Sequence, residues 1–105
     1  MSRYVATPKE WERLRQEKLY GQKCRGCGEN ATELHHLCPR SLLGDDVEGN
    51  LVPLCHACHM VFEDRASGWR EVASRIRQGM KPAERMYLLW AKSPVFLDRY
   101  YPESP

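Results

Sequence analysis

The sequence predicts an α+β domain: strand, loop, strand and helix around a metal clamp, with one helix before this core and two or three after it. Three observations carry that prediction. Two Cys-x-x-C pairs, Cys24/Cys27 and Cys55/Cys58, bracket residues 28–54, a segment too long for a simple finger loop. Two short strand-like runs, 32–37 and 50–54, lie inside or against that bracket. Apolar residues recur at helical spacing on either side of it.

The 105 residues suit a single domain. Residues 7–66 hold the first helix and the core, and 69–101 form a helical C-terminal extension. So small a core gains from a structural metal. Charged residues make up 29% of the chain and the mean hydropathy is −0.65, which reads as soluble. No apolar run reaches the ~18 residues of a membrane span, and Met1–Val5 lacks the apolar stretch of a signal peptide. A cytoplasmic setting is therefore expected, where cysteines stay reduced and paired Cys-x-x-C motifs read as metal ligands. A net charge of +2 excludes nucleic-acid binding by bulk charge alone, yet leaves room for one basic face.

The elements follow in order. Thr7-Pro8-Lys9-Glu10 starts a helix: threonine caps, proline suits the first turn, and glutamate closes a capping box. It runs to about Leu19 and stops at Gly21, burying Trp11, Leu14 and Leu19. Residues 22–29 form the first knuckle, with Gly26 and Gly28 beside Cys27. Residues 32–37 are a strand ended by Pro39, 41–49 a loop, and 50–54 a second strand in which Pro53 implies an edge or bulge. Cys55 to about Arg65 is a helix ended near Gly68. Helices then span 69–78 and 82–92, with a last turn or two over 95–101. Trp69, Ile76, Met86, Leu89, Trp90, Phe96 and Tyr100 read as core, with a partner surface as the alternative.

Four thiolates in two pairs suit one tetrahedral zinc on Cys24, Cys27, Cys55 and Cys58. Cys38 is left over and reads as a small buried side chain. His35 and His36 are neighbours in a strand, so their side chains leave on opposite sides and suit different tasks. His59 follows the second knuckle on a helix, and Glu63 lies one turn further along the same face. His56 reads as solvent-facing, and Asp45 and Asp46 as turn formers.

Leu34-His35-His36-Leu37, Pro39-Arg40-Ser41, Gly49-Asn50-Leu51-Val52 and Cys55-His56-Ala57-Cys58-His59 occur in that order. In this the stretch from Trp11 to Glu63 resembles the HNH endonuclease family. The resemblance implies a ββα-metal core and hydrolysis of DNA phosphodiesters to 5′-phosphate and 3′-hydroxyl ends. It makes His36 the general base, Asn50 the residue that spans and fixes the loop, and His35 and His59 ligands of a catalytic divalent cation. Glu63 stands where many members carry a further histidine; a carboxylate there favours Mg²⁺ or Mn²⁺, with Zn²⁺ or Ni²⁺ as alternatives. Arg40 is the leading phosphate contact. Arg65, Arg70, Arg75, Arg77 and Arg85 either extend its track or are ordinary surface charge. DNA is the implied partner, met on the minor-groove side, and the chain would act alone, as a homodimer or in a larger DNA-processing complex of a prokaryotic or phage-infected cell. Two rival readings remain: a zinc module that binds nucleic acid or protein without cutting, and a nuclease subunit active only in a phage packaging or restriction complex.

Overall fold

The computed structural model describes residues 2–105. Helix α1 (Pro8–Lys18) begins at the expected box: the Thr7 hydroxyl accepts from the Glu10 amide, and the Glu10 carboxylate accepts from the Thr7 amide. Strands β1 (Glu33–His36) and β2 (Leu51–Leu54) form an antiparallel pair in which His35 faces Val52 and His36 faces Leu51. Helix α2 (His56–Glu63) leaves the second knuckle and packs on β1. Helices α3 (Trp69–Gln78), α4 (Pro82–Ala91) and α5 (Pro94–Tyr100) complete the chain. Among the described residues no helix is long and apolar enough to cross a membrane.

Pro53 sits inside β2 without cost, because a two-stranded sheet consists only of edges. Its carbonyl takes the Arg25 amide at 3.0 Å, which ties the first knuckle to the sheet. The loop between the strands is more ordered than its composition suggests. It holds two short 3₁₀ turns, Arg40–Leu42 and Glu48–Asn50. Gly44 closes the first: a Cβ there would stand 1.7 Å from the Cys38 carbonyl oxygen, so no other residue fits. In the first knuckle Gly28 takes φ +82°, which side chains resist.

The core gathers Leu37, Val52, Leu54, Phe62, Val72, Ile76, Leu88, Leu97 and Tyr101 beneath the sheet and between the last three helices. Cys38 is buried as expected. Trp69, Phe96 and Tyr100 are half-buried against that core.

Helix α4 departs from the sequence reading. Met86 and Trp90, read as core, are 68% and 80% exposed, and Leu89 also faces out. Glu84, Tyr87 and Leu88 face inward instead. The cause is electrostatic. Glu84 accepts from Lys18 Nζ at 2.7 Å, from Arg25 at 2.8 and 3.1 Å, and from the Lys81 amide at 3.0 Å. A buried carboxylate with four donors is tolerated, and it turns the helix so that its greasier stripe faces water. The same contacts join α1, the first knuckle and α4. Tyr87 adds a second tie, donating to Asp45 Oδ2 at 2.6 Å and accepting from the Asp45 amide at 2.9 Å.

Candidate metal centres and nuclease site

The four cysteines converge as the spacing requires. One sulfur from each lies within 4.8 Å of the others, and Cys27 and Cys55 are 3.7 Å apart. Thiolates at 2.3 Å from a tetrahedral zinc stand about 3.8 Å from one another, so the donor set fits that ion. Cys55 also caps α2, its sulfur accepting from the Cys58 amide at 3.4 Å.

A second group forms between β1 and α2. Nitrogens of His35 and His59 and a carboxylate oxygen of Glu63 lie within 4.8 Å of one another. The residues reach this point from β1 and from successive turns of α2. Each imidazole has its second nitrogen occupied. His59 Nδ1 meets Glu33 Oε1 at 2.7 Å, which leaves the proton on Nδ1 and a lone pair on Nε2. His35 is 1% exposed, and its Nε2 lies 2.9 Å from the Tyr101 hydroxyl. Its Nδ1 is buried without a hydrogen-bond partner. Glu63 Oε1 stands 3.4 Å from that nitrogen and 3.5 Å from His59 Nε2.

Charge agrees with this picture. Burial pushes the His35 pKa below the ordinary histidine value, against the raising effect of Glu63. The neighbouring His35 and His59 hold the Glu63 carboxyl below its usual range, and His59 and His56 do the same for Glu33. The ionised Glu63 carboxylate and the neutral His35 thus turn acceptor atoms toward one point that they share with His59. Such a set fits a divalent cation: its two imidazoles suit Zn²⁺ or Ni²⁺, and its carboxylate suits Mg²⁺ or Mn²⁺.

His36 leaves β1 on the opposite side from His35. Its ring lies parallel to Trp11 of α1, with centroids 5.9 Å apart. Its Nε2 meets Asp46 Oδ1 at 2.8 Å. Asp46 is itself buried, accepts from the Ala6 amide at 3.0 Å and pairs with Arg3. Burial would raise the Asp46 carboxyl, but His36, Ala6 and the arginines outweigh it and hold it low. An ionised Asp46 can only accept, so the proton sits on His36 Nε2 and Nδ1 keeps a lone pair. Burial also lowers the His36 pKa, ahead of the opposing effect of Asp46, and favours the neutral ring.

Asn50 is fully buried and spends its amide on the loop. Its Oδ1 accepts from the Cys38 amide at 2.8 Å; its Nδ2 donates to the carbonyls of Cys38 at 3.1 Å and Asp45 at 2.9 Å. It thus pins both ends of the loop that carries Asp46. Arg40 is 57% exposed, its guanidinium 5.4 Å over the Trp11 ring and its Nε 3.6 Å from Asp46. Trp11, Leu34, His36, Pro39, Arg40, Ser41, His59 and Glu63 line one open cavity of about 330 Å³.

Three of the other arginines make contacts within the protein. Arg77 binds Asp98, Glu103 and the Tyr101 carbonyl; Arg75 binds Glu71 and the Gly26 carbonyl; Arg65 lies over the rings of Phe62, Trp69 and Tyr100. His56 is exposed, as expected, but shares Glu33 with His59. Three polar partners escaped the sequence reading: Glu33, Asp46 and Tyr101. Asp46, which reads as a turn former from its local sequence, is a buried partner of His36.

Residues 24–61 match the HNH endonuclease family. That segment resembles an HNH endonuclease domain. The match holds all four cysteines, His35, His36, Asn50 and His59, and ends before Glu63. No curated protein and no solved structure matches the chain. HNH domains are nuclease domains that act on DNA with a divalent metal, so a nuclease-like function follows at that level.

Proposed function

We propose that this HNH protein is a metal-dependent endonuclease that hydrolyses DNA phosphodiester bonds, with His36 as general base. The observation that carries this reading is a shared cavity. His35, His59 and Glu63 bring three ligand atoms together, and His59 and Glu63 line one open cavity with His36, whose tautomer is set by Asp46.

His35, His59 and Glu63 would hold the catalytic cation. When bound, that ion supplies charge stabilisation at the reacting phosphate. Nδ1 of His36 accepts a proton from water as its oxygen attacks phosphorus, and Asp46 steadies the imidazolium that results. The bond to the 3′ oxygen breaks, which leaves 5′-phosphate and 3′-hydroxyl ends. Arg40, on the rim of the cavity, binds a phosphate oxygen of the substrate. Asn50 fixes the loop that carries Asp46. The zinc on Cys24, Cys27, Cys55 and Cys58 holds the frame.

Supercoiled plasmid incubated with the protein in Mg²⁺, Mn²⁺, Zn²⁺ or Ni²⁺, beside His36→Ala, tests the reading. Metal-dependent open-circle or linear product that His36→Ala fails to form is the expected result. Full activity in His36→Ala would remove the assigned base. Absence of product with every metal, from zinc-loaded folded protein, would favour a module that binds without cutting.

A further inference from the structure

We infer that Tyr101, beyond the segment that matches the HNH family, is a positioning residue for the second metal site: it sets the tautomer of His35 and so turns a lone pair toward the ion. The inference rests on the proposed ligand set of His35, His59 and Glu63.

Tyr101 follows α5 and is fully buried. Its hydroxyl oxygen lies 2.6 Å from the Leu37 carbonyl oxygen and 2.9 Å from His35 Nε2. A phenol has a single proton. Two oxygens 2.6 Å apart must hold a proton between them, and a carbonyl has none to give, so Tyr101 donates to Leu37. It is then left with only lone pairs for His35, and His35 Nε2 must carry the hydrogen. Nδ1 is therefore the deprotonated nitrogen, and it is the buried atom with no hydrogen-bond partner, facing Glu63 and His59. The opposite tautomer would place two lone pairs together at Tyr101 and a proton among the ligands. Either fault opposes metal binding.

The chain invests heavily in this placement. Arg77 donates to the Tyr101 carbonyl at 3.0 Å and to Asp98 and Glu103 on either side of it. The Ser74 hydroxyl donates to the Glu103 carbonyl at 2.7 Å. The Tyr101 ring stacks on Phe62 of α2 at 5.2 Å, the helix that carries His59 and Glu63. One aromatic ring thus touches the β1 ligand and the α2 scaffold together. His59 receives the matching service from Glu33 within the family segment, whereas the partner of His35 comes from the extension.

Tyr101→Phe keeps the ring and removes only the oxygen. Two readouts on the zinc-loaded protein, without DNA, test the inference. Calorimetric titration with Mn²⁺ should show binding about 10–100-fold weaker in Tyr101→Phe than in the parent. Nitrogen-15 ring correlations should show His35 protonated on Nε2 in the parent and lose that single tautomer in the variant. A merely structural role would move neither readout while the melting curve is unchanged. Equal Mn²⁺ affinity in the two proteins, with the parent dependent on His59 and Glu63, would overturn the role of Tyr101 and leave the proposed metal site standing. A parent that binds no Mn²⁺ beyond its zinc would overturn both.

Discussion

Asp46 Oδ1 lies 2.8 Å from His36 Nε2 and joins a loop carboxylate to the strand that presents the proposed base. The carboxylate accepts, so the imidazole must donate from Nε2. Asparagine at 46 would keep the size but could offer an N–H instead, favouring the wrong tautomer. Asp46→Asn should therefore lower kcat by about 10²-fold or more, with KM for DNA little changed. Initial rates of plasmid nicking against DNA concentration, beside a melting curve, check this. A loss confined to KM would make Asp46 a contributor to DNA binding only.

Cys55 combines two tasks that one substitution separates. Serine is a good helix cap, so Cys55→Ser preserves the cap on α2 while removing a thiolate. Structural zinc contributes about 10–16 kcal/mol of apparent binding free energy, as much as the whole stability of a domain this size. Cys55→Ser, or a strong chelator applied to the parent, should abolish the cooperative melt and reduce helical circular dichroism. Metal analysis should find a single zinc per chain in the parent without added metal. A chelated protein that still melts cooperatively would make the clamp dispensable.

The clustering of the four cysteines was legible because its geometry is local: each Cys-x-x-C turn brings two sulfurs together whatever surrounds it. Thr7, Pro8 and Glu10 announced α1 for the same reason, since a capping box is completed within one turn. The paired histidines on β1 could be given separate tasks because a strand sends neighbours to opposite faces. What could not be read was long-range polar partnership. Nothing local marks Glu84, and only folding brings Lys18 and Arg25 to it. Tyr101 lay beside Tyr100 with nothing local to distinguish them. The error in α4 has the same root: the apolar stripe of Met86, Leu89 and Trp90 lost to a buried carboxylate whose donors lie far away in sequence.

Glu84 makes acid stability a test of that network. Burial raises its carboxyl, but the bonds from Arg25 and Lys18 outweigh burial and hold it below its ordinary value. A carboxyl lowered on folding stabilises the native state above its unfolded value near about pH 4.3, and that stability is lost as pH falls through the folded value. At neutral pH Glu84→Gln leaves Lys18 and Arg25 without their anion, a cost of about 3–5 kcal/mol. Urea unfolding of parent and variant should therefore differ most near neutrality, and the gap should narrow as pH falls from the unfolded value toward the lower folded value. The comparison is read only at pH values where both proteins keep their zinc and unfold cooperatively, because loss of that ion would itself close the gap. A gap that persists in acid would assign the cost to shape rather than charge.

Leu88 and Trp90 are near neighbours on α4 that hydrophobicity ranks together and the fold separates. Leu88 is wholly buried in the core, whereas Trp90 is 80% exposed and touches Tyr87 edge-on at 6.1 Å. Leu88→Ala should cost about 2–5 kcal/mol, the usual range for opening a cavity of that size. Trp90→Ala should change stability by no more than about 0.5 kcal/mol, as for a surface site. Urea midpoints of the two variants at one protein concentration decide it. A large loss in Trp90→Ala would mean that α4 packs with its apolar stripe inward, and the Glu84 network with Lys18 and Arg25 could not then form, because both arrangements need the same face of one helix.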